Sequence, residues 1–500
     1  MATGEALDLP DEVGVVNVGL PLFAAAVAEQ GRPSVHVDWR IPAGGDPRVV
    51  AALRRLCGPR TSQVDAANAE VVRRLDTGVP MLVGVRPAGE VVPPLGSGHV
   101  LLHPGPAIEL GQVCDPLRRS MRVTILAERW CDTIEAADAL LESGGVTLLP
   151  ANDVGVVVPM ASVVGASTPV WVVELDADGE TLTAYAPVGQ GSGDVAWFGR
   201  ETPAAYERLM LLREAVAPVL SAVVADSGPV DVLSLAAQAV AMGDDVHVRT
   251  QAATNLLFRH LLPSLVGTGH PRAVEVARFL SANHLLFLTL AMASARTLTA
   301  WAGQVDGASV ITSMARNGTQ FGAKLPGNDQ WFLAPAPMVG RALYHPGRGA
   351  ADGAPDIGDS ALLELVGLGG AAAAGSPAVA SLVGGAAEAA ALTAELERVC
   401  VARSTRFTMP TDLLLASLAS CYALALAWAA RKRGFELPDL EVTATGTYEG
   451  PSFASIALTV STSLDVARLT PLIEPARRAC YVSNTLARCP VLTVALAKPD

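Results

Sequence analysis

Between Met314 and Gly370 the chain gathers Arg316, Asn317, Gly318, Lys324, Asp329, Asp356, Asp359 and Ser360 in a glycine-rich stretch. Glycine lets backbone N–H groups close on a ligand, and charged neighbours then fix its orientation. A core of ordinary strands and helices has no need for Arg, Asn and Asp clustered in this way. The chemistry such a set supports is the handling of small anions. Guanidinium and ammonium groups neutralise them, an amide and backbone donors orient a carbonyl, and carboxylates hold the cations. A long surface loop with several turns is the alternative reading of the same residues.

Other polar clusters are sparser. MGDDVHVRTQAATN (Met242 to Asn255) places Asp244, Asp245, His247 and Arg249 between apolar helical stretches. One His beside two Asp is a weak ligand set, so no metal and no cofactor is expected. A helix cap at Asp244 or Asp245 and a structural His247 is the other reading. Arg118, Arg119 and Arg122 suit either an anion clamp or a solvated helix face.

These candidates sit in an acidic, apolar chain. The net charge of −13 and pI near 5.1 exclude a nucleic-acid partner or an anionic membrane as the expected target, while small anionic substrates remain open. Half of the 500 residues are hydrophobic and the mean hydropathy is +0.37, which calls for large cores or a subunit interface. A homo-oligomer is therefore expected. The runs Leu285 to Ala295 and Leu413 to Ala430 are too interrupted for membrane spans and read as buried helices. MATGEALDLPDE lacks the regions of a signal peptide, so a cytoplasmic location is expected. Seven scattered cysteines form no disulfide framework.

The elements that must position the candidates read as an α/β protein. Val13 to Leu20, an apolar helix and Ser34 to Trp39 form a βαβ unit, with Asn17 at the carboxyl end of its first strand, a substrate-binding candidate. Asp46 caps the next helix and Pro47 opens it. Gly145 to Asp176 reads as strands between loops, Tyr206 to Ala302 as long helices, and Gly367 to Val399 as a small-residue segment ending in a helix. Thr411 to Gly434 reads as a buried helix, followed by a hairpin around Glu449, Gly450 and Pro451, a helix from Val466 to Ala479, and a closing strand from Val491 to Ala497. The expected domains are 1–145, an α/β N-terminal domain; 146–400, a mixed and helical ligand-binding domain; and 401–500, a small α+β tail.

VVNVGLPLF (Val15 to Phe23), HVDWRIPAGGD (His36 to Asp46), MGDDVHVRTQAATNLL (Met242 to Leu257), SMARNGTQFG (Ser313 to Gly322), DQWFLAPAP (Asp329 to Pro337) and DIGDSALLELVGLGG (Asp356 to Gly370) carry a resemblance to the YlbE-like family over about residues 10–390. The resemblance implies a component of oxamate carbamoyltransferase in allantoin degradation. Such an enzyme interconverts oxalurate and phosphate with oxamate and carbamoyl phosphate, beside an FdrA-type partner subunit. Mapped onto this chain, Arg316 and Lys324 neutralise the anions, while Asn317 and Gly318 orient the carbamoyl group. Asp356 and Asp359 position Arg or the Ser360 hydroxyl, Asp329 joins the binding set, and Asp244 and His247 supply a polar wall or proton transfer. The sequence departs from the family pattern at Asn152 and Asp153, where a His-containing motif is expected, and at Gln190 and Asp194.

The last hundred residues resemble part of the OsmC/Ohr thiol peroxidases through LLLASLASCYALAL and ARRACYVSNTLARCPVLTV. That resemblance implies a peroxidatic Cys421 and a resolving Cys480, with Arg403 and Arg406 as candidate cations. Three functions stay open from sequence: carbamoyl transfer, a thiol-dependent peroxidase, and a noncatalytic ligand-binding or assembly subunit.

Overall fold

The computed structural model describes residues 15–18, 20–32, 34–37, 41–338, 349, 351, 353–399, 410–449 and 452–487. The chain forms two compact units, Met1–Ala66 and Ala67–Asp500. In the first, strands Val15–Val18 and Ser34–Val37 pair in parallel around helix Pro21–Glu29, the βαβ arrangement read from sequence. Asp46 accepts the Arg48 amide hydrogen bond at 2.8 Å and Pro47 opens helix Pro47–Leu56.

The second unit is built on a four-stranded antiparallel sheet. Its strand order is Glu180–Pro187, Pro169–Ala177, Met81–Pro87, Val230–Asp231. Strand Pro169–Ala177 is buried along most of its length, as its run of Val and Trp dictates. Helix Leu286–Ala302 packs on it, and the Trp171 indole donates to Thr289 Oγ1 at 3.1 Å, so the polar atoms of this contact are satisfied within the core. Every residue of that helix is buried except Arg296 and Ala300, which lie one turn apart.

Beside this core, Val100–His103 and Thr147–Pro150 pair in parallel with His103 opposite Pro150. Helices Asp115–Ala127 and Ile134–Glu142 make the crossover between them. Strand pairing thus runs across residue 145, where a domain boundary was expected. A third sheet, also antiparallel, holds Phe332–Pro335, Gln320–Lys324, Ser313–Asn317 and Ile357–Gly358 in that order. The described residues of the glycine-rich segment accordingly include four short strands of one sheet.

The C-terminal region is α+β, as expected. Helix Pro410–Arg431 packs with hairpin Glu441–Glu449 and Ser452–Ser461 and with helix Val466–Ala479. Leu426, Leu472, Ala476 and Cys480 are fully buried between them. The expected closing strand Val491 to Ala497, the turn residues Gly450 and Pro451, and Arg403 and Arg406 lie outside the described residues. Among the described residues no single helix is long and apolar enough to cross a membrane.

Candidate functional site

Asn-Gly in a short loop between strands is a turn signal, and Asn317 and Gly318 close the hairpin between Ser313–Asn317 and Gln320–Lys324. The Asn317 side chain is fully buried. Its Oδ1 accepts from Thr319 N at 3.0 Å and Gln320 N at 2.6 Å, and its Nδ2 donates to Pro106 O at 3.1 Å. The amide oxygen and one of the two Nδ2 hydrogens are thus committed to the turn and to the loop after Val100–His103. Gly105 explains the closeness of that approach. Its φ is +82°, and a Cβ there would stand 2.4 Å from Asn317 N.

Asp359 binds three segments together. Its Oδ1 accepts from Gly105 N at 2.8 Å, its Oδ2 from Val158 N at 3.0 Å, and its own amide donates to Val158 O at 2.8 Å. Burial pushes its carboxyl up to about 7, against the two amide hydrogen bonds and the charges of Arg316 and Arg296. Arg316 pairs with Asp356 and donates Nε to Gly358 O at 3.3 Å. Ser360 opens the short helix Ser360–Val366 directly after Asp359. Met160, against whose backbone Gly358 packs, has φ +52°, a strained value for a non-glycine residue.

Next to this cluster lies a cavity of about 370 Å³ lined by Arg296, Thr299, Ser313, Lys324, Asn328 and Asp329, among others. Lys324 Nζ bonds Asp153 Oδ1 at 2.6 Å and stands 4.6 Å from the centre of the Trp331 ring. The Trp331 indole donates to the same Asp153 oxygen at 2.9 Å. Arg296 is the one charged residue of the largely buried helix Leu286–Ala302 and donates Nη2 to Asn152 O at 3.4 Å. Burial pushes its guanidinium down, opposed by Asp153 and Asp359. Behind Ser313, whose hydroxyl donates to Asn152 Oδ1 at 2.8 Å, lies the buried Asn152, and His103 is buried as well. His103 is the last residue of Val100–His103 and Asn152 comes two residues after its register partner Pro150, and open α/β sheets bind ligands at the carboxyl ends of such strands.

Arg296 and His103 were absent from the residues singled out by sequence. A lone arginine within LFLTLAMASARTLTAWA was the signal that pointed to the first; a histidine closing an apolar strand before Pro-Gly-Pro was a fainter one. A second cavity, about 540 Å³ and lined by Val123, Leu126, Arg129 and Tyr206 among others, is mainly apolar and holds none of the sequence candidates.

Several candidates serve the framework. Asp244, fully buried, accepts from Ala253 N at 2.9 Å at the start of helix Gln251–Gly267, and burial raises its carboxyl. Asp245 accepts from the amides of His247, Val248 and Arg249. His247 bonds Glu364 at 2.8 Å; burial lowers its pKa, but the carboxylate outweighs this and the net shift is upward. Arg118 and Arg122 are engaged by Asp138, with Glu142 and Glu201, and Arg119 by Asp115, so the arginine trio is already neutralised. Asn17, in the first unit, donates to Leu20 O at 3.0 Å and stands 2.8 Å from His36 Nδ1.

Cys421 and Cys480 lie together in the C-terminal region, both as free thiols. Burial raises the Cys421 thiol, but hydrogen bonds from the Val482 and Tyr481 amides and the Cys480 side chain prevail and bring it below its ordinary value. Among the described residues no three His, Cys, Asp or Glu side chains are grouped to hold a metal ion.

A family model described as oxamate carbamoyltransferase subunit AllG matches residues 146–360, and one described as OsmC-like protein matches residues 403–495. The oxamate carbamoyltransferase subunit AllG of Escherichia coli (strain K12) is 33% identical over 357 residues, which is 70% of this chain and 84% of that protein. The uncharacterized protein YahG of the same organism is 29% identical over 403 residues, 80% of this chain and 84% of that protein. The crystal structure of a conserved protein of unknown function from Enterococcus faecalis V583 matches with a TM-score of 0.67 and 25% identity, over 84% of this chain and 99% of that one.

Proposed function

Because this chain belongs to the family of the oxamate carbamoyltransferase subunit AllG, we propose that it takes part in phosphate-dependent carbamoyl transfer on a small ureido or amide anion, as one subunit of a larger enzyme. In the reaction, a phosphate oxygen forms a bond to the carbamoyl carbon of a ureido acid such as oxalurate. The bond from that carbon to the oxamate nitrogen breaks, the nitrogen takes a proton, and oxamate and carbamoyl phosphate leave. Two anions must be brought side by side, so the step depends on cations and N–H donors more than on a covalent nucleophile.

The observation that carries this reading is the cavity flanked by Arg296 and Lys324 in a protein of net charge −13. These two residues hold the anions, with Asp329 at the rim. Arg316, held by Asp356, adds positive potential beside Asp359. Asn317, Gly318 and Asp359 position the hairpin that carries Lys324, Asp244 and His247 hold the adjoining loop, and Ser360 supports the Asp359 turn. A partner of FdrA type, a cytoplasmic setting and self-association belong to the same reading.

The test is carbamoyl phosphate formation from oxalurate and phosphate, by the chain alone and with an FdrA-type partner. Turnover that falls about 100-fold in Lys324→Ala supports the proposal, as expected for losing a charge that acts on the transition state. Unchanged turnover in both Lys324→Ala and Arg316→Ala removes it, and a stable complex without turnover favours a noncatalytic subunit.

The paired thiols favour a second activity in the C-terminal region. The Cys421 thiolate attacks a hydroperoxide oxygen, giving a sulfenic acid and an alcohol. Cys480 then displaces water to form a disulfide, which a thiol reductant reopens. Loss of two titratable thiols per chain on adding an organic hydroperoxide, abolished in Cys421→Ser, is the expected result; thiols that survive peroxide exclude it.

A further inference from the structure

Three buried polar atoms that lack a hydrogen-bond partner among the described residues, His103 Nε2, Asn152 Nδ2 and Arg296 Nε, belong to residues near one another in the fold. Arg296 bonds the Asn152 carbonyl. His103 lies opposite Pro150, two residues before Asn152, and the Asp153 charge acts on both His103 and Arg296. Native proteins seldom leave such groups unpaired, and three in one spot point to a ligand that completes them.

The hydrogen-bonding character of each atom is fixed by its surroundings. His103 Nδ1 lies 2.9 Å from Pro104 O, which can only accept, so Nδ1 carries the proton. Burial keeps this imidazole neutral. Its Nε2 therefore offers a lone pair, whereas Asn152 Nδ2 and Arg296 Nε offer hydrogens. One acceptor beside two donors is the complement of a primary amide, whose oxygen accepts and whose NH2 donates. A carboxylate or phosphate oxygen would set a lone pair against the lone pair of His103.

We propose that Arg296, in the cavity lining, and His103 and Asn152, buried beyond that lining, recognise the carbamoyl end of the substrate, its oxygen taking hydrogens from Arg296 and Asn152 and its NH2 donating to His103. The anionic end then lies toward Lys324. This inference rests on the reading that the cavity takes a carbamoyl-bearing anion.

Calorimetry on the full chain with two matched ligand pairs tests it. Oxamate and oxalate differ by NH2 against O−, and carbamoyl phosphate and acetyl phosphate by NH2 against CH3. The wild type is expected to prefer the first member of each pair by about tenfold or more, the worth of one well-placed buried hydrogen bond. His103→Phe should erase the preference while keeping the affinity for oxalate, and Asn152→Asp should weaken oxamate. Equal affinity for both members in the wild type overturns carbamoyl recognition by these three residues yet leaves the anion cavity intact. Absence of binding by all four ligands, with or without the partner subunit, overturns the cavity reading itself and this inference with it.

Discussion

Asn317→Ala separates a positioning role from a ligand-touching one. The side chain makes three hydrogen bonds, to Thr319 N, Gln320 N and Pro106 O, and is fully buried. At about 1 kcal/mol each, their loss destabilises the hairpin by about 3 kcal/mol. That corresponds to about 10²-fold more frequent local opening. In a chain of 500 residues a single global unfolding energy is poorly defined, so amide hydrogen exchange is the suitable assay. Peptides covering 313–324 should exchange about 10²-fold faster in the variant, while strand Pro169–Ala177 keeps its protection. Asn317→Asp, which retains the two acceptor bonds, should show a smaller effect. Unchanged exchange across 313–324 together with lost oxamate binding would refute the reasoning, because Asn317 would then be contacting ligand and not holding the turn.

Gly105→Ala forces a Cβ to within 2.4 Å of Asn317 N at a φ of +82°, so a loss of about 3 kcal/mol or more is expected, read as a lower melting temperature. Arg296→Met removes a guanidinium with an unpaired buried Nε from an apolar helix; melting should rise, by a stabilisation of about 1 kcal/mol, while oxamate binding disappears. His247 has its pKa raised above the ordinary 6.5 by Glu364, so between 6.5 and the raised value the folded protein holds the proton more often than the unfolded one. The resulting stability is complete below pH 6.5 and is lost as pH rises through the folded value. Urea midpoints of the wild type should fall over that range, and those of Glu364→Gln should fall less.

The chain announced its local structure well. The N-terminal βαβ unit, the Asp46 cap and the C-terminal hairpin follow from short-range patterns of apolar spacing, Pro and Asp. Arg316 and Lys324 of the glycine-rich segment stand on neighbouring strands of one sheet, Arg316 beside the turn and paired with Asp356, Lys324 at the far end of its strand and paired with Asp153. What stayed illegible depends on pairing between distant residues. Gly105 and Asp359 meet across 254 positions, so nothing local shows that Asp359 is a fastening point. The Asn317 turn reads as a binding element because an amide beside a glycine suits both roles; only its contact with Pro106, 211 positions away, shows that the amide also fastens a distant loop. Arg296 was hidden by its setting, since the run of buried residues around it does not show that the facet carrying Arg296 and Ala300 faces a cavity.

A crystal structure of the protein soaked with oxamate and phosphate tests the central claim most directly. Difference density between Arg296 and Lys324, with the amide nitrogen of oxamate against His103 Nε2, is the predicted result. Density only in the apolar cavity beside Tyr206, or none near Arg296 at saturating ligand, would contradict it.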